Sequence, residues 1–369
     1  TVTVTGADDS VIDGTVTSSI VISIIDANSD DDFDAVADQA VSVDTTDNDT
    51  PGFTIEETDA ATEVDESGST DTFTIVLDAQ PTSDVVLTIT SDDTGEATVP
   101  ASVTFTPVNW DTPQTVTVTG ADDDLVDGTI TSTITIAVDD ANSDDDFDAV
   151  VDQTVSVDTT DDDVAGFTIE ETDAATEVDE SGSTDTFTVV LDAQPTSDVV
   201  LTITSDDTGE ATVNSPLTFT PVNWDTPQTV TVTGADDDLV DGTITSTITI
   251  AVDDANSDDG FDGLDDQTVS VETLDDDTAG FTIEETDAAT EVDETGSTDT
   301  FTVVLDAQPT SDVVLSITSD DTGEASVPAS VTFTTADWDT PQTVTVTGVD
   351  DDLVDGTITS TITIAVDDA

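Results

Sequence analysis

The stretch TVTVTGADDDLVDGTITSTITIAVDD, which starts at Thr115, recurs in closely similar form from Thr1, Thr229 and Thr343, each start 114 residues after the last. A second stretch, GFTIEETDAATEVDE, begins at Gly52, Gly166 and Gly280 with the same spacing. Self-similarity at a fixed period limits the fold more than any local propensity does. A period of 114 residues is too long for one turn of a solenoid and suits a complete small domain. Acidic, turn-forming runs precede each GFTIEE: TDNDTP (46–51), DDDVA (161–165) and DDDTA (275–279). Boundaries drawn there make residues 1–51 the back half of a repeat, 52–165 and 166–279 whole repeats, and 280–369 a repeat lacking its last strand. The chain opens in mid-pattern, so it reads as an interior piece of something longer.

Within 52–165 apolar residues alternate with polar ones, the mark of a strand with one face buried. Val, Ile and Thr dominate, which favours strand over solvated coil despite the acidity. The alternation predicts strands over Phe53–Glu57, Thr62–Asp65, Thr70–Asp78, Asp84–Ser91, Ser102–Pro107, Gln114–Thr119, Thr129–Asp139 and Gln153–Thr159. Their inward residues are Phe73, Ile75, Leu77, Val85, Leu87, Ile89, Val103, Phe105, Val116, Val118, Ile134, Ile136, Val155 and Val157. No stretch has helical spacing. Eight short strands in such a length point to an all-β, immunoglobulin-like Greek-key sandwich, repeated in tandem as a linear rod. Near-identical neighbours tend to co-aggregate through exposed edges while folding, and a strongly negative chain resists that.

Between the two strands of the repeated unit lies a loop that packs Asp122, Asp123, Asp124 and Asp127 into six positions. The chain holds 88 Asp and Glu and no Lys, Arg or His, a net charge of −88. Such a chain repels itself. Salt screens exposed charges beyond about 10 Å at 0.1 M but does little for carboxylates packed side by side. The counter-charge therefore comes from solution, and oxygen-only ligands favour a hard cation, Ca²⁺ or Mg²⁺. With no basic residue, nucleic-acid binding through a basic patch is excluded. There is no cysteine, hence no disulfide and no thiolate metal site. No apolar run approaches the ~20 residues of a membrane-spanning helix, and no signal peptide is visible.

In an immunoglobulin-like strand order the loops sort to two poles. One pole receives Glu66, Asp92 and Asp93, Asp122–Asp124 with Asp127, and Asp161, Asp162 and Asp163. The second complete repeat supplies Glu180, Asp206, Asp207, Asp236, Asp237, Asp238, Asp241, Asp275, Asp276 and Asp277. The last repeat supplies Glu294, Asp320, Asp321, Asp350, Asp351, Asp352 and Asp355, and the first partial repeat Asp8, Asp9, Asp13, Asp47 and Asp49. Ca²⁺ takes six to eight oxygens in irregular cages and suits such clusters better than Mg²⁺ does. The opposite pole carries ANSDDDFDAVVD (141–152), whose Asp144, Asp146 and Asp148 are candidates for an ion shared with the preceding repeat. Their spacing is not an EF-hand: Ala149 stands where the turn glycine belongs, Val155 where the closing glutamate belongs, and no helices flank the loop.

The segments VDESGSTDTFTIVLD, VTFTPVNWDTPQTVTVTGADDDLVDG and VSVDTTDDD together resemble a bacterial Calx-β-type repeat, over essentially the whole of each period. The resemblance implies an immunoglobulin-like sandwich that binds Ca²⁺ at one pole, as in sodium–calcium exchangers. It matches the family's glutamate after the first strand to Glu66, Glu180 and Glu294. The acidic run after the fifth strand falls at Asp122–Asp124 and Asp127, and the terminal run at Asp161–Asp163. Asn109–Trp110 replaces a glycine-containing turn, and Asp127 stands where glutamate is common. Tandem arrays of this kind resemble the extender regions of giant bacterial surface adhesins, which implies an extracellular or cell-surface location rich in calcium.

Other readings remain beside this one. The acids can be a halophile's hydrated surface, although they concentrate in turns rather than on strand faces. Trp110, Trp224 and Trp338 can stack sugars or plug the core. The surface threonines can carry glycans or serve only as strand formers, and Asn48 lies in a single Asn-Asp-Thr sequon. Carboxylate pairs occur in glycosidases, but one loop repeated in each copy offers no unique cleft, and no residue is available to activate a nucleophile; no enzyme activity is expected. The main expectation is a calcium-stiffened stalk. The alternative is a subunit of an extracellular filament whose incomplete ends pair with identical chains, and a carbohydrate- or protein-binding module ranks below both.

Overall fold

The computed structural model describes every residue except Ala60, Ala174, Asp355, Asp368 and Ala369. The chain divides into two compact units, Thr1–Val164 and Ala165–Ala369.

In the first unit, residues 1–51 contribute strands β1 (Val16–Ile22) and β2 (Gln39–Thr45), an antiparallel pair. Residues 52–165 contribute β3 (Phe53–Glu57), β4 (Thr62–Asp65), β5 (Thr70–Leu77), β6 (Val85–Ser91), β7 (Ala97–Thr98), β8 (Ser102–Phe105), β9 (Gln114–Gly120), β10 (Ile130–Val138) and β11 (Gln153–Thr160). One sheet runs β3-β5-β9-β7 and the other β4-β11-β10-β6-β8; every pairing is antiparallel except β4 with β11. Together they form a two-sheet β-sandwich, as the alternation predicts.

The core follows from that alternation. Phe73, Ile75, Val85, Leu87, Phe105, Val116, Val118, Ile134, Ile136 and Val157 are fully buried, and Val103 is half-buried. The other faces of β5 and β9 carry threonines in register, Thr70 with Thr119, Thr72 with Thr117 and Thr74 with Thr115. Trp110 packs against the edge of the core, and its carbonyl accepts the Leu77 N–H at 3.1 Å.

Two features escape the alternation. β7 is only two residues long, too short to show a period. The acidic loop 141–152 also hides a core residue. Its short 3₁₀ turn (Asp145–Phe147) buries Phe147 completely between the exposed carboxylates of Asp146 and Asp148.

The second unit repeats this plan. In 166–279 one sheet orders Phe167–Glu171, Thr184–Leu191, Gln228–Gly234 and Ala211–Val213. The other orders Thr176–Asp179, Gln267–Leu274, Ile244–Val252, Val199–Ser205 and Leu217–Phe219. In 280–369 the second sheet has three strands, Ser330–Phe333, Val313–Ser319 and Ile362–Val366. There the segment 290–293 forms no strand, because its equivalents elsewhere pair only with the final strand of a repeat. Likewise 1–5 alternates yet forms no strand; its equivalent β9 pairs with β5 and β7, which have no counterparts in residues 1–51. Among the described residues no helix is long and apolar enough to cross a membrane.

Candidate metal centre

The candidate centre of 52–165 begins with a glycine. Gly120 ends β9 so close to the end of β4 that a Cβ built on it would lie 1.9 Å from the Asp65 carbonyl oxygen. The contact brings Glu66, the residue after β4, beside the acidic loop that leaves β9. The Glu66 N–H donates to the Thr160 carbonyl (3.2 Å), tying it also to the end of β11. The Glu96 carbonyl, just ahead of β7, accepts the Ala121 N–H (2.8 Å), so Glu96 closes the other side. Asp161, after β11, staples the acidic loop: its Oδ2 accepts the N–H groups of Asp127 (3.0 Å) and Gly128 (2.8 Å). Gly128 takes φ +77°, a left-handed turn that glycine adopts readily.

Four chain segments thereby converge. Oxygens of Glu66, Glu96 and Asp127 lie within 4.8 Å of one another, and so do oxygens of Glu66, Asp161 and Asp163. In the second complete repeat Glu180, Glu210 and Asp241 repeat the first trio, while the other is Glu180, Asp237 and Asp277, in which the counterpart of Asp123 stands in place of the counterpart of Asp161. Two oxygens on one calcium ion, each at 2.3–2.6 Å, are at most about 5 Å apart, so each trio has the span of one cation site. Glu66 and Glu180 belong to both trios of their repeat.

The glutamates of the trios are buried, and several trio oxygens have no partner. Glu66 is 0% exposed, Glu180 1%, Glu96 5% and Glu210 6%. Both carboxylate oxygens of Glu66 lack a hydrogen-bond partner, as do one oxygen each of Glu96, Asp127, Glu180, Glu210, Asp241 and Asp277. Burying an ionised carboxylate without a partner costs several kcal/mol, in practice avoided by taking up a proton or a cation. Burial, then the charges of Asp123, Glu96, Asp161 and Asp127, pushes Glu66 up to about 7. Burial and Asp237 likewise push Glu180 up to about 7. Glu96, Asp127, Asp163, Glu210, Asp241 and Asp277 are raised for the same reasons, burial first. Oxygen-only, anionic and only partly hydrogen-bonded, the trios fit a hard divalent cation.

Other candidates lie elsewhere. Asp122, Asp124, Asp162, Asp236, Asp238 and Asp276 are exposed and join no trio. Asp92 and Asp93 are engaged otherwise: Asp92 Oδ1 accepts the N–H of Thr133 in β10 (2.7 Å) and Asp93 Oδ1 accepts Gly95 N–H within its own loop (3.0 Å). Asp206 and Asp207, and Asp320 and Asp321, do the same. In the first partial repeat Asp47 Oδ2 accepts the N–H groups of Asp13 and Gly14, both at 3.0 Å, and Asp8, Asp9 and Asp13 are exposed. Asp49 is half-buried there, and burial followed by Asp47 raises its carboxyl. In the last repeat Glu294 and Asp351 are half-buried, Asp350 and Asp352 are exposed, and Asp355 lies outside the described residues.

At the opposite pole Asp144 is 5% exposed, yet its oxygens are occupied. Oδ2 accepts Thr82 N–H (2.7 Å), Thr82 O–H (2.8 Å) and Ser83 N–H (2.8 Å), and Oδ1 accepts Asp146 N–H (3.2 Å). Burial would raise this carboxyl, but those hydrogen bonds outweigh it and hold it below the usual range. Asp144 is thus built into the fold as an acceptor, with exposed Asp146 and Asp148 beside it.

Sequence reasoning passed over Glu96 and Glu210. The available signal was a single glutamate in the aspartate-rich loop SDDTGEATV, next to a strand too short to declare its faces.

No family model matches the chain, and no curated protein matches it. Among solved structures, it is similar to calcium binding domain CBD12 of CALX1.1, at 14% identity over 54% of this chain and 80% of that one, with a TM-score of 0.24. It is also similar to domains 4 and 5 of the S-layer protein SbsC, at 20% identity over 51% and 76%, with a TM-score of 0.25. A protein of unknown function from Porphyromonas gingivalis W83 is similar at 9% identity over 60% and 99%, with a TM-score of 0.22. Scores this low do not bear on what the chain binds.

Proposed function

We propose that this chain is a segment of an extracellular or cell-surface stalk, built of Calx-β-type sandwiches and stiffened by calcium. The observation that carries the reading is Glu66, fully buried, with both carboxylate oxygens unpartnered among other acids. In a chain without a basic side chain, only a proton or a cation from solution can answer that charge. Calcium, with its tolerance for irregular all-oxygen cages, matches two trios that share one glutamate. Each complete repeat then takes two ions at the pole where its chain leaves for the next. No reaction belongs to this reading; the work is mechanical, holding a distal part of a larger protein away from a surface.

Isothermal titration of the calcium-stripped chain tests it. Saturable calcium binding, a higher melting temperature, and a maximum dimension by small-angle scattering that falls when EGTA is added are the expected results. No heat and no shift in melting at millimolar calcium would sink the cation; an unchanged dimension would sink the stiffening.

A further inference from the structure

Two joints between consecutive repeats lie inside the compact units, and they are built alike. In the first, Gln80 donates its N–H to the Ser10 carbonyl (2.7 Å), and its own carbonyl accepts the Ile12 N–H (3.0 Å). The result is a parallel bridge of Val11 with Gln80. Ile12 is 6% exposed and belongs to the hydrophobic core of 52–165. In the second, Gln308 donates to the Asp238 carbonyl (2.6 Å), accepts from Val240 N–H (3.0 Å), and bridges Leu239.

Each side is shaped by its own repeat. On the loop that inserts, Asp9 Oδ1 accepts Val11 N–H (3.0 Å) and Asp237 Oδ1 accepts Leu239 N–H (2.7 Å), tight turns of the kind aspartate favours. The same turn forms at Asp351 and Leu353 (2.8 Å), where Leu353 and Val354 are 66% and 104% exposed. The turn therefore does not need the receiving loop, whereas shielding of its aliphatic pair does: at the two joints Ile12 is buried and Val11, Leu239 and Val240 are half-buried. On the receiving loop the glutamine side chain is an anchor. Gln80 Nε2 donates to the Pro107 carbonyl (2.8 Å) and Gln308 Nε2 to the Thr335 carbonyl (3.2 Å). Proline follows both glutamines and offers no N–H that competes for the partner strand. In 52–165 the receiving loop is also braced from behind by Asp144, through Thr82 and Ser83.

We infer that successive repeats recognise one another through this joint: an aliphatic plug (Val11–Ile12, Leu239–Val240) read by the backbone of a glutamine-anchored loop (Gln80, Gln308). The partner it fits is another repeat of the same kind. The chemistry follows from composition. Where every charged side chain is negative, contact between charged surfaces is repulsive, so repeats meet through peptide groups and apolar side chains. The inference deepens the stalk reading and rests on it for its purpose. Asp237 links the two, since it shapes the plug and also stands in a trio with Glu180 and Asp277.

The chain has no cysteine, so nitroxides can be placed at Ser19→Cys and Val108→Cys, both exposed and both in the first unit. In calcium, double electron–electron resonance should give a narrow distance distribution for the parent chain. Ile12→Val should match it, because valine fills the second joint. Ile12→Asp and Gln80→Ala, which attack the joint from opposite sides, should each broaden it. In Ile12→Asp, amide protection in the segment 8–15 should fall by about tenfold or more, a local opening. Circular dichroism and the main melting transition, retained in both variants, would show that the sandwich itself is intact. A narrow distribution in Ile12→Asp, or unchanged protection there, overturns the joint; a narrow one in Gln80→Ala overturns the role of the anchor. Failure of the parent chain to bind calcium, with these results otherwise as expected, counts against the cation alone.

Discussion

At the scale of single residues the chemistry turns on a few carboxylates among many. Glu66 differs from the exposed acids around it because the fold denies it both water and a partner. Its proton affinity then makes stability depend on pH with a definite sign. The folded group titrates near 7 against an ordinary value of 4.5, so between those values the folded state holds more protons than the unfolded one. Stability of the calcium-free chain must therefore fall as pH rises through that window. Melting temperatures in EGTA should decline from pH 4.5 to 7, and millimolar calcium should remove the decline by replacing the proton. Glu66→Gln removes the charge and nearly keeps the shape. In EGTA at pH 8 it should stabilise its repeat by roughly 1–3 kcal/mol, and in calcium it should lose the ion-dependent gain. Calorimetric melts in both buffers check the pair of signs; equal effects in the two would leave Glu66 with no cation to hold. The sequence offered Glu66 as a candidate beside Asp122 and Asp124, and only burial separates it from those exposed acids.

At the scale of strands and loops, alternation made nearly every long element legible, because one face of each is buried. It failed where an element is too short, as at Ala97–Thr98, or where a single core residue hides among acids, as Phe147 does. It also overstated 1–5, since a strand needs a neighbour to hydrogen-bond and that segment has none. The end of β9 is where element geometry makes the site. Gly120→Ala would place a methyl group 1.9 Å from the Asp65 carbonyl, so β4 must shift and carry Glu66 with it. The expected cost is about 1–3 kcal/mol, with the proposed calcium binding of 52–165 lost and that of 166–279 retained. Titration heats that keep the parent stoichiometry would show that Glu66 does not need this contact. Gly128→Ala, with open space around its Cβ but a left-handed backbone, should cost less and spare Glu66.

At the scale of the whole molecule, a charge of −88 acts at two depths. Carboxylates on turns repel through water, where monovalent salt screens them within about 8–10 Å. The buried glutamates of the trios repel their neighbours inside protein, where salt screens far less. Sodium chloride should raise the melting temperature of the EGTA-treated chain and then level off. A further rise should follow millimolar calcium at the same ionic strength, measured by differential scanning calorimetry. A salt plateau equal to the calcium value would mean that screening alone is enough, and the acids would then be no more than a hydrated coat.

From the order of residues alone came the 114-residue period, the sandwich class, the excess of negative charge and the pole where acidic loops gather, since these depend on spacing, side-chain alternation and charge. Tertiary structure decided which acids lose their water. Burial depends on how strand ends meet, and it selected Glu66, Glu96, Asp127, Asp161 and Asp163 while leaving Asp122 and Asp124 in solvent. It also turned Asp144 into a hydrogen-bond acceptor at 82–83 and placed Ile12 in a neighbour's core. Contacts between residues 62 or 68 positions apart leave no periodic trace along the chain, and they appear only when the sheets close.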